Sequence, residues 1–186
     1  MAISAADARA VLERADCLFD DRAVQNALDQ MAADISLKFE NKNPLVLCVM
    51  TGGIIATSEL LKRLSFPLEL DFIHATRYGD NTTGDKLKWL TKPHKSLQDR
   101  DVILIDDILD VGKTLHEIVN YCNDNGAAST STAVLVEKEH DRKEGLYKAD
   151  FTGLVVPDRY VFGYGMDYKQ FWRNLSAIYA ANINDE

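Results

Sequence analysis

A segment in the middle of the chain, Val102–Thr114 (VILIDDILDVGKT), constrains the fold more than any other part of the sequence. It opens with four apolar residues, as in a buried parallel strand, and three carboxylates follow within five positions. Behind Gly112 apolar residues return at the spacing of one helix face, at Leu115, Ile118, Val119 and Cys122. Open α/β sheets bind their ligands where a strand feeds a helix through such a turn. The segment therefore predicts a parallel α/β sheet with a binding site at the end of this strand.

The charges of this loop restrict the ligand. Backbone amides and the dipole at a helix N-terminus favour an anion, usually a phosphate. The loop nevertheless carries Asp106, Asp107 and Asp110. Carboxylates beside a phosphate need a further partner, so we expect ribose hydroxyls or a divalent cation there as well.

Strand and helix patterns alternate along the chain. We expect Ser4 to cap a first helix and a second helix to run over Asp21–Glu40. Strands are expected at 45–50, 68–74, 102–105 and about 130–136, with short β segments near Leu154 and Tyr160. Helices are expected between the first two strands, reaching about Leu64, and behind Gly112. The alternation predicts one α/β domain, 1–186, with a mostly parallel sheet and right-handed crossovers.

Composition excludes several classes of protein. The chain has 186 residues, 46% of them apolar, which suits one domain with a sizeable core. Its net charge of −8 argues against binding to a nucleic-acid backbone. We see no signal peptide and no run of roughly twenty apolar residues, so we expect a cytoplasmic protein without membrane contact. Cys17, Cys48 and Cys122 are expected to be reduced core residues.

Two familiar phosphate sites fit the central segment poorly. Gly112-Lys113-Thr114 is similar to the end of a nucleoside triphosphate-binding loop, but the Gly required five residues earlier is Asp107. A carboxylate there would lack the conformational freedom of Gly and would repel a triphosphate. Phospho-acceptor receiver domains also place paired acids after a strand, but near their N-terminus. Here the pair lies in mid-chain.

In its order of residues, Val102–Thr114 resembles the 5-phosphoribosyl-1-diphosphate signature of type I phosphoribosyltransferases. The resemblance implies that Asp106 and Asp107 meet the ribose hydroxyls, directly or through Mg²⁺. It implies that the turn wraps the 5-phosphate with backbone amides and a hydroxyl, from Asp110, Val111, Gly112, Lys113 and Thr114. The implied architecture is the type I phosphoribosyltransferase fold, a mostly parallel sheet flanked by helices. Its core would span about 45–140, with a small hood from the N-terminal region and about 145–186.

Three further stretches are similar to the hypoxanthine-guanine branch of that family. These are Thr51-Gly52-Gly53, Lys138 and PDRYVFGYGMDY at Pro157–Tyr168, with Arg173 beyond it. The resemblance implies a purine site in which Lys138 reaches O6, Tyr160 stacks on the base and Val161 offers backbone groups. Asp167 would lie near the base amino group and a second Mg²⁺. Pyrophosphate would be held by Thr51, Gly52, Arg77, Tyr78 and Arg173.

The implied reaction is phosphoribosyl transfer from 5-phospho-α-D-ribose 1-diphosphate to N9 of hypoxanthine or guanine, releasing pyrophosphate. Asp110 would act as general base or hydrogen-bond acceptor at purine N7, and Lys138 would assist at O6. The polar loop Arg77–Gly84 would close over the site and exclude water. Adenine is disfavoured because Lys138 would meet an amino group, whereas xanthine stays open. A homodimer or homotetramer is the expected assembly.

An alternative function and two departures from the family pattern also have to be considered. A non-catalytic regulator on the same fold would need a basic face or a DNA-binding domain, and the chain has neither. Val111 stands where the branch often has Thr, so one hydroxyl donor to the 5-phosphate is lost, and Thr51 stands where Lys or Arg is common. The four histidines show no metal-ligand spacing and are expected to be structural or surface residues: His74, His94, His116 and His140.

Overall fold

The computed structural model describes residues 3–77, 87–146 and 148–185. Its helices are α1 (Ala5–Arg14), α2 (Asp21–Phe39), α3 (Ile54–Leu61) and α4 (Lys113–Asp124). Its first strands are β1 (Asp16–Phe19), β2 (Leu45–Met50), β3 (Glu69–Arg77), β4 (Leu87–Thr91) and β5 (Asp101–Leu109). The remaining strands are β6 (Ser129–Glu139), β7 (Phe151–Pro157), β8 (Val161–Phe162) and β9 (Ile178–Ala180).

The larger sheet has six strands in the order β4-β3-β2-β5-β6-β7. Neighbours pair in parallel except β4, which lies antiparallel to β3 at the edge. The predicted α/β class with a mostly parallel sheet is confirmed. From β2 the chain moves outward to β3, and from β5 it moves the opposite way to β6. The strand order therefore reverses between β2 and β5, and the carboxyl ends of these strands border one crevice.

Helices cover both faces of this sheet, because the strands are apolar on both sides. Ile103 and Ile105 of β5 pack in the cluster that includes α2 and α3, whereas Val102 and Leu104 pack in the cluster of α4. The predicted apolar face of α4 is confirmed, since Leu115, Ile118 and Cys122 are buried there.

The predicted cap of α1 is also confirmed. Ser4 Oγ accepts a hydrogen bond from the Asp7 amide at 3.1 Å, and Asp7 Oδ2 accepts one from the Ser4 amide at 3.0 Å. This reciprocal pair satisfies two amides that the helix geometry would otherwise leave unpaired.

A second, antiparallel sheet has the order β1-β9-β8 and joins the two ends of the chain. Trp172 strengthens this union, since its indole Nε1 donates to the Ala8 carbonyl at 2.7 Å. The sequence patterns predicted neither β1 nor β9. They have four and three residues respectively, too few to display an alternation of apolar and polar positions.

Several predicted boundaries were wrong. β5 continues through Asp106 and Asp107 to Leu109, so these acids lie in the strand and not in the loop. β6 continues to Glu139, so Lys138 lies within it and not beyond it. In both cases backbone pairing with a neighbouring strand extends the strand although its side chains there are polar, as for Asp106, which pairs with Val134. Cys17 is exposed, although a core position was predicted.

Within the described ranges, no helix has both the length and the apolarity needed to cross a membrane.

A matched pair of leucines in α2 tests the packing of this helix. Leu28 is fully buried and Leu37 is 83% exposed. Leu28→Ala should lower the free energy of unfolding by about 2–5 kcal/mol, because it removes core contacts and leaves a cavity. Leu37→Ala should change it by less than about 0.5 kcal/mol. Urea unfolding measures both, and equal losses would contradict the assigned helix face.

Candidate active site

The crevice between β2 and β5 opens into a cavity of about 490 Å³. The whole turn Asp110–Thr114 lines it, together with Gly52 and the acidic pair at the end of β5. Gly112 caps α4 with φ 87°, a left-handed conformation that favours glycine, and a Cβ there would overlap the Leu146 carbonyl. The N-terminus of α4 therefore faces a cavity rimmed by carboxylates.

The acidic pair is desolvated. Asp107 is 8% exposed, and burial raises its pKa. Burial, reinforced by the charge of Asp107, raises the pKa of Asp106 well above its usual range. Hydrogen bonds partly compensate, since Asp106 Oδ1 accepts from the Asp107 amide at 2.9 Å and Asp107 Oδ1 from the Ile108 amide at 2.8 Å. Two adjacent carboxylates with raised pKa suit a hard divalent cation, which would stabilise their ionised forms.

Gly52 allows the acidic pair to lie against the turn after β2. A Cβ at this position would overlap the Asp107 carboxylate, so glycine lets this carboxylate keep its present position. The Met50–Thr51 peptide just before it is cis, and Thr51 is exposed at the edge of the turn. The backbone of this turn is thus brought directly beside the Asp107 side chain.

A second cavity of about 270 Å³ adjoins the first and shares Asp107, Ile108 and Asp110 with it. Its other lining residues are Lys138, Tyr160, Val161, Met166 and Asp167. Lys138 Nζ is the basic group of this cavity, and Tyr160 supplies an aromatic ring. A flat, polar ring system matches this combination of an aromatic face and a convergent cation.

Asp110 joins the two cavities. Its Oδ2 lies 2.8 Å from Lys138 Nζ, and its Oδ1 lies 2.7 Å from His140 Nε2. Burial opposes ionisation of Asp110, but these two hydrogen bonds outweigh it and hold its pKa below the usual value. Asp110 is therefore an ionised acceptor placed between a phosphate-type site and a ring-type site.

The expectation that His140 is only a structural or surface residue missed this contact. Its side chain is 5% exposed and directly bonded to Asp110. A signal was present, because His140 follows Lys138 by two positions and side chains two apart share one face of a strand.

Asp167 and Arg173 form a pair of their own. Arg173 Nη2 lies 2.5 Å from Asp167 Oδ1, and the Gln170 amide donates to Asp167 Oδ2 at 2.7 Å. Arg173 Nη1 also donates to the Gly165 carbonyl at 2.6 Å. Both oxygens of Asp167 are thus engaged, and a cation at Asp167 would require Arg173 to turn away.

The remaining predicted residues lie at the edges of the site. Lys113 Nζ lies 2.8 Å from Glu144 Oε2, and the Glu144 amide donates to the Val111 carbonyl at 2.7 Å. The backbone of Arg77 ends β3, whereas its side chain and Tyr78 lie outside the described residues.

Comparison with known proteins identifies the family. Residues 15–170 match the model of the phosphoribosyl transferase domain. The chain belongs to the phosphoribosyltransferase family. The hypoxanthine-guanine-xanthine phosphoribosyltransferase of Tritrichomonas foetus is 34% identical over 163 residues, which cover 87% of this chain and 88% of that protein. The bifunctional protein TilS/HprT of Listeria innocua is 33% identical, and the match spans 25% of that longer protein.

The fold is shared as well. The crystal structure of a hypoxanthine phosphoribosyltransferase from Staphylococcus aureus superposes with a TM-score of 0.84 at 27% identity. The match covers 91% of this chain and 92% of that one. The resemblance to this family and the predicted phosphoribosyltransferase fold are both confirmed.

The ion pairs of this phosphoribosyltransferase predict a specific change in pKa. Lys138→Met should raise the pKa of Asp110, because it removes a hydrogen bond and a positive charge that oppose the effect of burial. Lys143→Met is the matched control, since the two lysine side chains are 10% and 11% exposed and Lys143 pairs with Glu137. Carboxyl ¹³C titration by NMR measures the pKa of Asp110 in each variant. Equal shifts of Asp110 in the two variants would contradict the pairing.

Proposed function

We propose that this enzyme transfers the 5-phosphoribosyl group from 5-phospho-α-D-ribose 1-diphosphate to N9 of hypoxanthine or guanine. The products are IMP or GMP and pyrophosphate, as in purine salvage. The observation that carries the proposal is the pair of adjoining cavities that share Asp107, Ile108 and Asp110. One cavity suits a sugar phosphate and the other a purine. The Tritrichomonas foetus relative is named for hypoxanthine, guanine and xanthine, which is the same class of base.

The first cavity would take the ribose 5-phosphate. Amides of Asp110–Thr114 and the dipole of α4 would bind the phosphate, and the Thr114 hydroxyl would add a donor. Val111 contributes only its backbone, so we expect weaker phosphate binding than with a hydroxyl at that position. Lys113 would reach the phosphate only by leaving Glu144.

Asp106 and Asp107 would hold Mg²⁺ together with the ribose hydroxyls. Their carboxylate oxygens are the hard donors that Mg²⁺ prefers, and their burial makes a compensating positive charge favourable. When bound, the ion neutralises charge on the diphosphate and so favours its departure. Asp167 would contribute to a second ion once Arg173 releases it.

The second cavity would take the base. The Lys138 ammonium donates to a 6-carbonyl oxygen and meets no acceptor at a 6-amino group, so 6-oxopurines are selected over adenine. The Tyr160 ring would stack on the purine, and the Val161 backbone and Asp167 would face its far edge. Xanthine differs from guanine at that edge, where the contacts are to the backbone and to Asp167.

In the reaction, N9 attacks the anomeric carbon as the bond to pyrophosphate breaks, and positive charge develops on the ribose. Gly52 and Thr51 would bind the departing pyrophosphate through the backbone, with Arg173 as the cationic partner. Asp110 would take the proton from N7 as N9 forms its new bond. The proposed contributions of Arg77 and Tyr78 to pyrophosphate binding, and closure of the 75–88 loop, rest largely on positions outside the described residues.

We also propose an organisation and an assembly for the chain. It would form one domain, 1–186, that acts in the cytoplasm, with the sheet β1-β9-β8 contributing a hood over the core at about 45–140. A homodimer or homotetramer is supported by apolar side chains at the surface beside α3. Ile54 is 46% exposed, Leu70 49% and Phe72 39%, and together they line a largely apolar groove. Sedimentation of the purified protein tests this assembly.

The direct test of function is an assay with purified protein, Mg²⁺, the diphosphate donor and one base at a time. Pyrophosphate release should occur with hypoxanthine and guanine and be weakest with adenine and uracil, because only the former pair offers a 6-carbonyl to Lys138 in a purine. A chelator should abolish release, and added Mg²⁺ should restore it. Absence of release with every base, at full Mg²⁺, would overturn the proposed function.

A further inference from the structure

Two donors hold the carboxylate of Asp110, and they differ in their access to the base cavity. Lys138 lines that cavity, and its Nζ lies 2.8 Å from Oδ2. His140 is 5% exposed and lines neither cavity, yet its Nε2 lies 2.7 Å from Oδ1. A bound base can therefore attract Lys138 but does not reach His140.

The hydrogen bonds of His140 determine where its proton lies. The Arg142 amide donates to Nδ1 at 3.0 Å, so Nδ1 is an acceptor and carries no hydrogen. A neutral imidazole then has its proton on Nε2 and donates to Asp110. Arg142 is itself held by Asp158, with Nη2 and Oδ1 2.5 Å apart. This ion pair restrains the backbone turn that orients the imidazole.

We propose that His140 is a positioning residue, which holds Asp110 in place while Lys138 turns to the base. The proposal rests on the function given above. Without base, Lys138 and His140 share the two carboxylate oxygens of Asp110. With a 6-oxopurine bound, Lys138 donates to O6 and Oδ2 becomes free to accept a proton. His140 keeps its hydrogen bond to Oδ1, and the carboxylate keeps its orientation.

The proton balance follows. The bond from N9 to the anomeric carbon forms as the bond from that carbon to pyrophosphate breaks, and pyrophosphate leaves with the electron pair. The N7 proton passes to Asp110 Oδ2, which leaves a neutral purine in the nucleotide and a neutral acid at Asp110. A donor on Oδ1 fixes the direction of Oδ2 throughout, which matters because proton transfer requires the two heavy atoms within hydrogen-bond reach.

A pair of amide substitutions separates this role from a structural one. His140→Gln can place its Nε2 near the position of the imidazole Nε2 and still donate to Asp110. His140→Asn can still accept from the Arg142 amide but is too short to reach Asp110. His140→Asn should lower kcat roughly ten-fold or more, the loss expected for one hydrogen bond to a charged group. KM for the diphosphate donor should change less than about two-fold, and His140→Gln should retain most of the activity.

Controls exclude a general effect of losing a histidine. His94 also approaches a carboxylate, with Nδ1 3.5 Å from Asp71 Oδ1, but its side chain is 71% exposed and lines neither cavity. His94→Asn should leave kcat unchanged. Thermal unfolding of every variant is measured alongside, and His140→Gln supplies a folded comparison at the same position.

A double substitution gives the decisive readout. In an Asp110→Asn background, which removes the proton acceptor, His140→Asn should have no further effect on kcat. Equal losses in both backgrounds, or unchanged kcat in the folded single variant, would overturn the positioning role alone. Wild-type protein is assayed first with hypoxanthine and guanine. If it transfers to neither, the proposed function fails, and this inference fails with it.

Discussion

Two adjacent carboxylates near the end of the central strand, Asp107 buried and Asp106 half-buried, govern the arrangement of the groups around them. Asp106 and Asp107 lie where β5 runs between β2 and β6, and burial raises the pKa of both. Buried charge without partners is unfavourable, so the surroundings must compensate. Backbone amides do so in part, and the charge of Arg173 opposes the upward shift of Asp107. The carboxylates are still not fully compensated, so this crevice suits a cation, which supplies positive charge, and a diol, which donates hydrogen bonds.

Charge is arranged in sequence across the site. The acidic pair borders the phosphate-type cavity, Asp110 lies between the cavities, and Lys138 lines the second cavity. Under the proposed function these groups would meet different parts of the substrates, namely the ribose, N7 and O6. Because β5 and β6 are paired in register, with Leu109 opposite Glu137, Asp110 and Lys138 follow at adjacent strand ends. Parallel pairing therefore places Asp110 and Lys138 within one hydrogen bond of each other.

Local patterns predicted most of the fold and part of the site. The apolar face of α4 and the β2 strand follow from periodicity that involves only near neighbours. Strand ends at the site were placed too early, because Asp106 and Lys138 are polar and yet belong to the ladder. The pairs Asp110–His140 and Asp167–Arg173 depend on strand register and on the course of a loop. The spacing along the chain places His140 on the same side as Lys138, but it does not identify Asp110 as the partner of His140 or Asp167 as the partner of Arg173.

We propose that the two adjoining cavities bind one nucleotide, with its phosphate at the start of α4 and its purine beside Lys138. A crystal structure of the complex with IMP would show whether they do. We expect the phosphate on the amides of Val111–Thr114, the ribose hydroxyls at Asp106 and Asp107, and the purine between Tyr160 and Lys138. A nucleotide lodged elsewhere, with this crevice empty, would contradict it.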